Sequence, residues 1–81
     1  MKDWAGWLEE ERAELRETDP GVLAVAEKAI AEHGLDDWQA ATLLFTARNS
    51  LDCGVDRETV IQAVPQDVKW IRTKRPQPPG E

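Results

Sequence analysis

The chain has 81 residues, of which 41% are hydrophobic and 32% charged, enough for one modest core and too few for a second domain. Its single cysteine, Cys53, rules out an intrachain disulfide and fits a cytosolic setting, and its longest apolar stretch, residues 22–26, falls far short of the roughly 20 residues that cross a bilayer. The net charge of −6 divides into eleven acids against four bases in residues 1–40 and five against six in residues 41–81, so the front of the chain repels nucleic acid and attracts basic protein surfaces.

The Met-Lys-Asp-Trp start lacks the apolar run of a signal peptide, and an unprocessed, soluble, cytoplasmic protein is expected. Residues 3–17 set Trp4, Trp7, Leu8 and Leu15 in one stripe at about 100° per residue, with Asp3 as N-cap, and predict an amphipathic first helix. Thr18-Asp19-Pro20 reads as a stop, a cap and a first-turn proline. The second helix then runs through Val22, Ala26, Ala29, Ile30 and His33 to Gly34, a glycine suited to the residue after a helix. Asp36 or Asp37 caps a third helix whose apolar positions (Trp38, Ala40, Ala41, Leu43, Leu44, Phe45, Ala47 and Leu51) cover more than half its circumference. That pattern predicts the central, most buried helix, with Leu44 and Phe45 in the core.

Gly54 ends the third helix, and Asp56 caps a short fourth one with Val60, Ile61 and Val64 inward, which Pro65 either stops or follows with a final turn. Residues 68–72 fit either a fifth short turn or an extended segment. The expected architecture is all-α, a small compact bundle of four helices over residues 1–72, joined by loops of roughly two to five residues. Residues 73–81, basic and rich in proline, are expected to form an extended, flexible tail.

No residue pattern points to catalysis. The chain has one histidine and one cysteine, and neither sits in a motif that would activate a nucleophile or tune an acid and base. His33 falls on the buried stripe of the second helix and in its last turn, where an imidazole hydrogen-bonds free carbonyls. Cys53, beside a helix-ending glycine, reads as a small buried apolar residue. His33, Asp36, Asp37 and Cys53 have no metal-ligand spacing. No metal, cofactor or small-molecule substrate is therefore expected.

Two short segments are similar to known families. Asn49-Ser50-Leu51-Asp52 is similar to the Asp-Ser-Leu attachment motif of acyl carrier proteins, but Ser50 lies near the end of a helix where the carrier serine opens one, and asparagine replaces the aspartate. Gly54-Val55-Asp56-Arg57-Glu58-Thr59-Val60-Ile61-Gln62-Ala63-Val64 resembles the turn and recognition helix of helix-turn-helix repressors. That resemblance implies that Arg57, Glu58, Ile61 and Gln62 face a DNA major groove. It covers about eleven residues, and the upstream helix departs from the pattern at Asn49 and Ser50.

Four tryptophans and no tyrosine place large apolar mass where it must be buried or used, and Trp4 and Trp7 stand where a chain end frays. With Glu9, Glu10, Glu11 and Glu14 on the same helix, at least one of the two indoles is expected to stay partly accessible. Glu11 interrupts the apolar stripe of the first helix and Arg48 that of the third. Each is expected to extend its aliphatic stem so that its charge reaches water at the rim; if the two helices pack together, a Glu11–Arg48 ion pair is the alternative. The resulting functional expectation is a non-enzymatic protein-interaction or regulatory domain, of the kind of small acidic adaptors and stoichiometric inhibitors that include phage-encoded ones. Trp4, Trp7, Glu11 and Glu14 would meet another protein or a second copy of the chain, and a helix-turn-helix DNA-binding protein is the alternative.

Overall fold

The structure is a computed structural model and describes residues 3–74. Four helices account for it: α1 (Trp4–Thr18), α2 (Pro20–His33), α3 (Asp37–Asp52) and α4 (Arg57–Ile71), with no strand among the described residues. Each start is written in an aspartate. The side chains of Asp3, Asp19, Asp36 and Asp56 accept hydrogen bonds from the first free amides of α1 to α4 in turn, satisfying donors that the helix itself leaves open. At α3 the cap is reciprocal, because the Gln39 side chain also accepts from the Asp36 amide at 3.1 Å. Two ends are written in glycine: Gly34 and Gly54 take φ of +60° and +94°, which a side chain would strain.

Two places differ from expectation. The α1–α2 connection is a single residue, because the Asp19 amide caps the end of α1 while its carboxylate caps the start of α2. Pro65 does not stop the last helix, and α4 runs through it to Ile71. Residues 68–71 are therefore helical, and Val68 and Ile71 are buried, so there is no separate fifth turn. Burial of Val60, Val64, Val68 and Ile71 along one face holds the helix together past the proline. Thr73 and Lys74 close the end by donating backbone N–H hydrogen bonds to the carbonyls of Trp70 and Ile71. The remainder of the expected tail lies outside the described residues.

The helices form two hairpins laid side by side. Trp7 meets Phe45 and Glu11 meets Arg48, so α1 and α3 run parallel. Arg57 at the start of α4 meets Asp19 at the start of α2, so α2 and α4 also run parallel. The most extensive packing is between α1 and α3, while α1 and α4 occupy opposite corners and do not pack together. Both hairpin turns consequently lie at one pole, and the starts of α1 and α3 lie at the other with the ends of α2 and α4.

The core is aliphatic: Leu15, Val22, Ala26, Ala41, Leu43, Leu44 and Ile71 are fully buried. As expected, α3 is the central helix and packs on all three others. Phe45, expected in the core, is 41% exposed. Ala40, Ala41 and Ala47 let the neighbouring helices approach α3 closely, which leaves no room for a ring between them, and Phe45 covers the α1–α3 seam from outside. Cys53 is likewise exposed, not buried, because it caps α3 beyond the last packed turn. His33 is exposed too, and makes no side-chain hydrogen bond among the described residues. The amides of Gly34 and Leu35 take the Ile30 carbonyl instead.

Candidate protein-contact face

The most unusual chemistry lies on the α1–α3 seam. Glu11 is 6% exposed, and both of its carboxylate oxygens are engaged. Oε1 accepts from Arg48 Nε at 2.9 Å, and Oε2 accepts from Trp7 Nε1 at 3.0 Å and Arg48 Nη2 at 3.4 Å. Arg48 Nη1 donates onward to Asp52 at 3.2 Å. The hydrogen bond from Arg48 to Glu11 holds the guanidinium pKa above its ordinary value, against the opposing effect of burial. The expectation that each charge reaches water separately is therefore corrected. Close approach of α1 and α3 brings the two together, and pairing removes the penalty that a lone buried carboxylate would carry.

Above this pair the aromatic rings form a continuous tilted row. Trp4 and Trp7 centroids are 5.8 Å apart and Trp7 and Phe45 are 6.3 Å apart, at interplanar angles of 55° and 52°, within the range favoured by ring quadrupoles. The Arg48 guanidinium lies 5.5 Å from the Phe45 centroid, a cation–π distance. Trp4 and Trp7 are both half-buried, so the expectation that at least one keeps an accessible surface holds for each. The structure brings Trp4, Trp7 and Glu11 together and adds Phe45 and Arg48. It leaves Glu14 exposed on the outer side of α1.

The other two tryptophans belong to the same pole. Trp38 is the second residue of α3 and half-buried, and Trp70 is the penultimate residue of α4 and 57% exposed. The Lys74 ammonium sits 5.1 Å from the Trp70 centroid. No tryptophan is among the fully buried residues. Sequence reasoning missed this gathering, although the signal was present: three tryptophans near helix starts and one at a helix end share a pole once the helices form two parallel hairpins.

The residues implied by the helix-turn-helix resemblance are divided. Arg57 Nε and Nη2 bond to the Asp19 carboxylate at 2.9 and 3.2 Å, and a Cβ at Gly21 would overlap that guanidinium. Ile61 is half-buried against the core, while Glu58 and Gln62 face outward. Beside them a groove of about 200 Å³ runs between α2 and α4, walled by Val25, Ala29, Ile61, Val64, Pro65 and Val68, with Lys28, Glu32 and His33 at its rim. His33 and Cys53 stand at opposite poles, separated by roughly the 22 Å length of a 15-residue helix. Among the described residues no group of three His, Cys, Asp or Glu side chains is placed to hold a metal ion, and no helix is long and apolar enough to cross a membrane. The chain matches no protein-family model, no curated protein and no solved structure with which it was compared.

Proposed function

We propose that this protein is a non-enzymatic protein-interaction domain, a small acidic adaptor or stoichiometric inhibitor. In this reading it presents the tryptophan-bearing start of α1 and the seam beside it to another protein or to a second copy. One observation carries the reading: all four tryptophans lie towards one pole, and none is fully buried. A core built from Leu, Val, Ile and Ala leaves the indoles at the surface, and indole is among the side chains that contribute most to interfaces. The Glu11–Arg48 pair supports the row from below by fixing the Trp7 ring through its N–H. An exposed, unpaired Cys53 suits a reducing compartment, which favours a cytoplasmic location. The DNA-binding alternative draws less support, since Arg57 is held by Asp19, Ile61 leans on the core, and Glu58 would face phosphates.

The test is capture from the source cell by the tagged protein, with and without nuclease. Nuclease-insensitive capture of a defined protein, lost in Trp4→Ala while the helical circular-dichroism signal is kept, is the expected result. Capture that vanishes on nuclease treatment, or that is indifferent to Trp4, would overturn the reading.

A further inference from the structure

Opposite charges are segregated onto two helices that cannot neutralise each other within one molecule. On α1, Glu10, Glu14 and Glu17 are exposed and make no ion pair among the described residues. Their spacing of four and three residues sets them in one strip along the outer face, about 120° round the helix from Arg16. At the end of α4, Lys69 and Arg72 are exposed and likewise make no ion pair among the described residues. They flank Trp70, the most exposed of the large apolar side chains, which carries the Lys74 ammonium on its ring. Because α1 and α4 stand at opposite corners and do not pack together, neither patch reaches the other inside the fold.

We propose that these two patches are the two halves of one interface and that the occupant of each is a second copy of this chain. The cationic Trp70 end of α4 docks on the carboxylate strip of the partner's α1. Because the two helices stand at opposite corners, the contact is head-to-tail: each copy covers the strip of one neighbour and offers its own strip to the next, so association continues beyond the dimer. Three carboxylates meet the cations of Lys69, Arg72 and Lys74, the last of which lies on the Trp70 ring. That match of sign and chemistry on one chain favours self-association over an unrelated ligand. The net charge of −6 opposes an anionic polymer on the α4 end. The inference rests on the reading that the tryptophan-bearing α1 is a contact surface, and names what that surface contacts.

Reciprocal charge reversal tests it. One variant carries Glu10→Lys with Glu14→Lys, and the other Lys69→Glu with Arg72→Glu. All four positions are exposed on helices, and circular dichroism checks that both variants fold. Sedimentation of the full chain from micromolar to millimolar concentration is expected to show concentration-dependent self-association of the wild type, from monomer to dimer and larger head-to-tail species. In each variant alone association is expected to weaken by at least about tenfold, the loss of one or two interfacial charge pairs. An equimolar mixture is expected to recover it, because the reversed strip of one variant then faces the reversed patch of the other, and at the alternate contact the unchanged patch of the first meets the unchanged strip of the second. The mixed dimer carries the same total charge as the wild-type dimer, so recovery reports local complementarity. The first variant is also less negative than the wild type, and general charge repulsion would make it associate more strongly, not less.

A monomeric wild type over the whole range, or a mixture no tighter than its components, overturns the proposal. So does a monomeric wild type that retains single-stranded DNA through Lys69 and Arg72, which would assign the α4 end to nucleic acid. If the wild type is monomeric while Trp4→Ala abolishes capture of another protein, self-association fails and the interaction-domain reading stands.

Discussion

At the scale of single residues, Glu11 shows how a polar atom in a core is tolerated. A carboxylate with three donors around it is stable where an unpartnered one is not, and the two cases differ by which neighbour is removed. Glu11→Ala leaves Arg48, whose side chain is 21% exposed, without its main partner, and strands the Trp7 N–H. A cost of about 2–4 kcal/mol is expected, a large part of the stability of a domain this small. The double change Glu11→Leu with Arg48→Leu removes both charges and is expected to restore most of that loss, since apolar packing in a helix seam replaces a buried pair at little cost. Urea unfolding of the single and double variants measures both. A double variant no more stable than Glu11→Ala would show that the pair does more than neutralise burial. The sequence marked both residues as out of place and offered their pairing only as the alternative, because the register of α1 against α3 depends on where the alanines of α3 permit close approach.

At the scale of elements, the starts of helices were legible and one end was not. Aspartate caps and glycine ends act within a few residues of themselves, so Asp3, Asp19, Asp56, Gly34 and Gly54 could be assigned from local chemistry alone, and the α3 cap narrowed to Asp36 or Asp37. Pro65 also acts locally, by removing the amide that would bond to the Ile61 carbonyl and by crowding the preceding turn. Its effect is outweighed by burial of Val68 and Ile71 one and two turns later, a tertiary contribution of about 1.5–3 kcal/mol for each fully buried side chain. Pro65→Ala restores the missing donor on an exposed face and is expected to raise stability by about 1–3 kcal/mol. Calorimetry checks the gain. An unchanged or lowered Tm would mean that α4 is shaped around the ring of Pro65, which also walls the α2–α4 groove.

At the scale of the whole molecule, the carboxylates give stability a defined dependence on pH. Bonding from Arg57 lowers the pKa of Asp19, and bonding from Thr59 lowers that of Asp56. Both contribute stability that is present above the usual aspartate value of 3.8 and is lost as pH falls through their depressed folded values. Asp67 behaves in the opposite sense, because burial raises its pKa above 3.8. Between those two values the folded state binds the proton more readily than the unfolded chain, so stability rises as the solution is made mildly acidic. Thermal unfolding is therefore expected to be most resistant on the acid side of neutral pH and to weaken again below about 3.8. In Asp67→Asn the first rise should shrink while the fall at low pH remains. A rise unchanged by that substitution would place its origin elsewhere.

The sequence by itself determined the all-α class, the four helices and the ends of most of them. Caps, glycine ends and apolar stripes are short-range signals that a chain carries whatever it packs against. It also singled out Trp4, Trp7, Glu11 and Arg48 as residues needing an explanation. Only the tertiary structure decided that explanation, along with the exposure of Phe45 and Cys53, the continuation of α4 through Pro65, and the gathering of four tryptophans towards one pole. Each of these depends on the parallel setting of two helix hairpins. That setting follows from how alanine, leucine and valine side chains far apart in the chain fill a shared volume, and no local pattern encodes it.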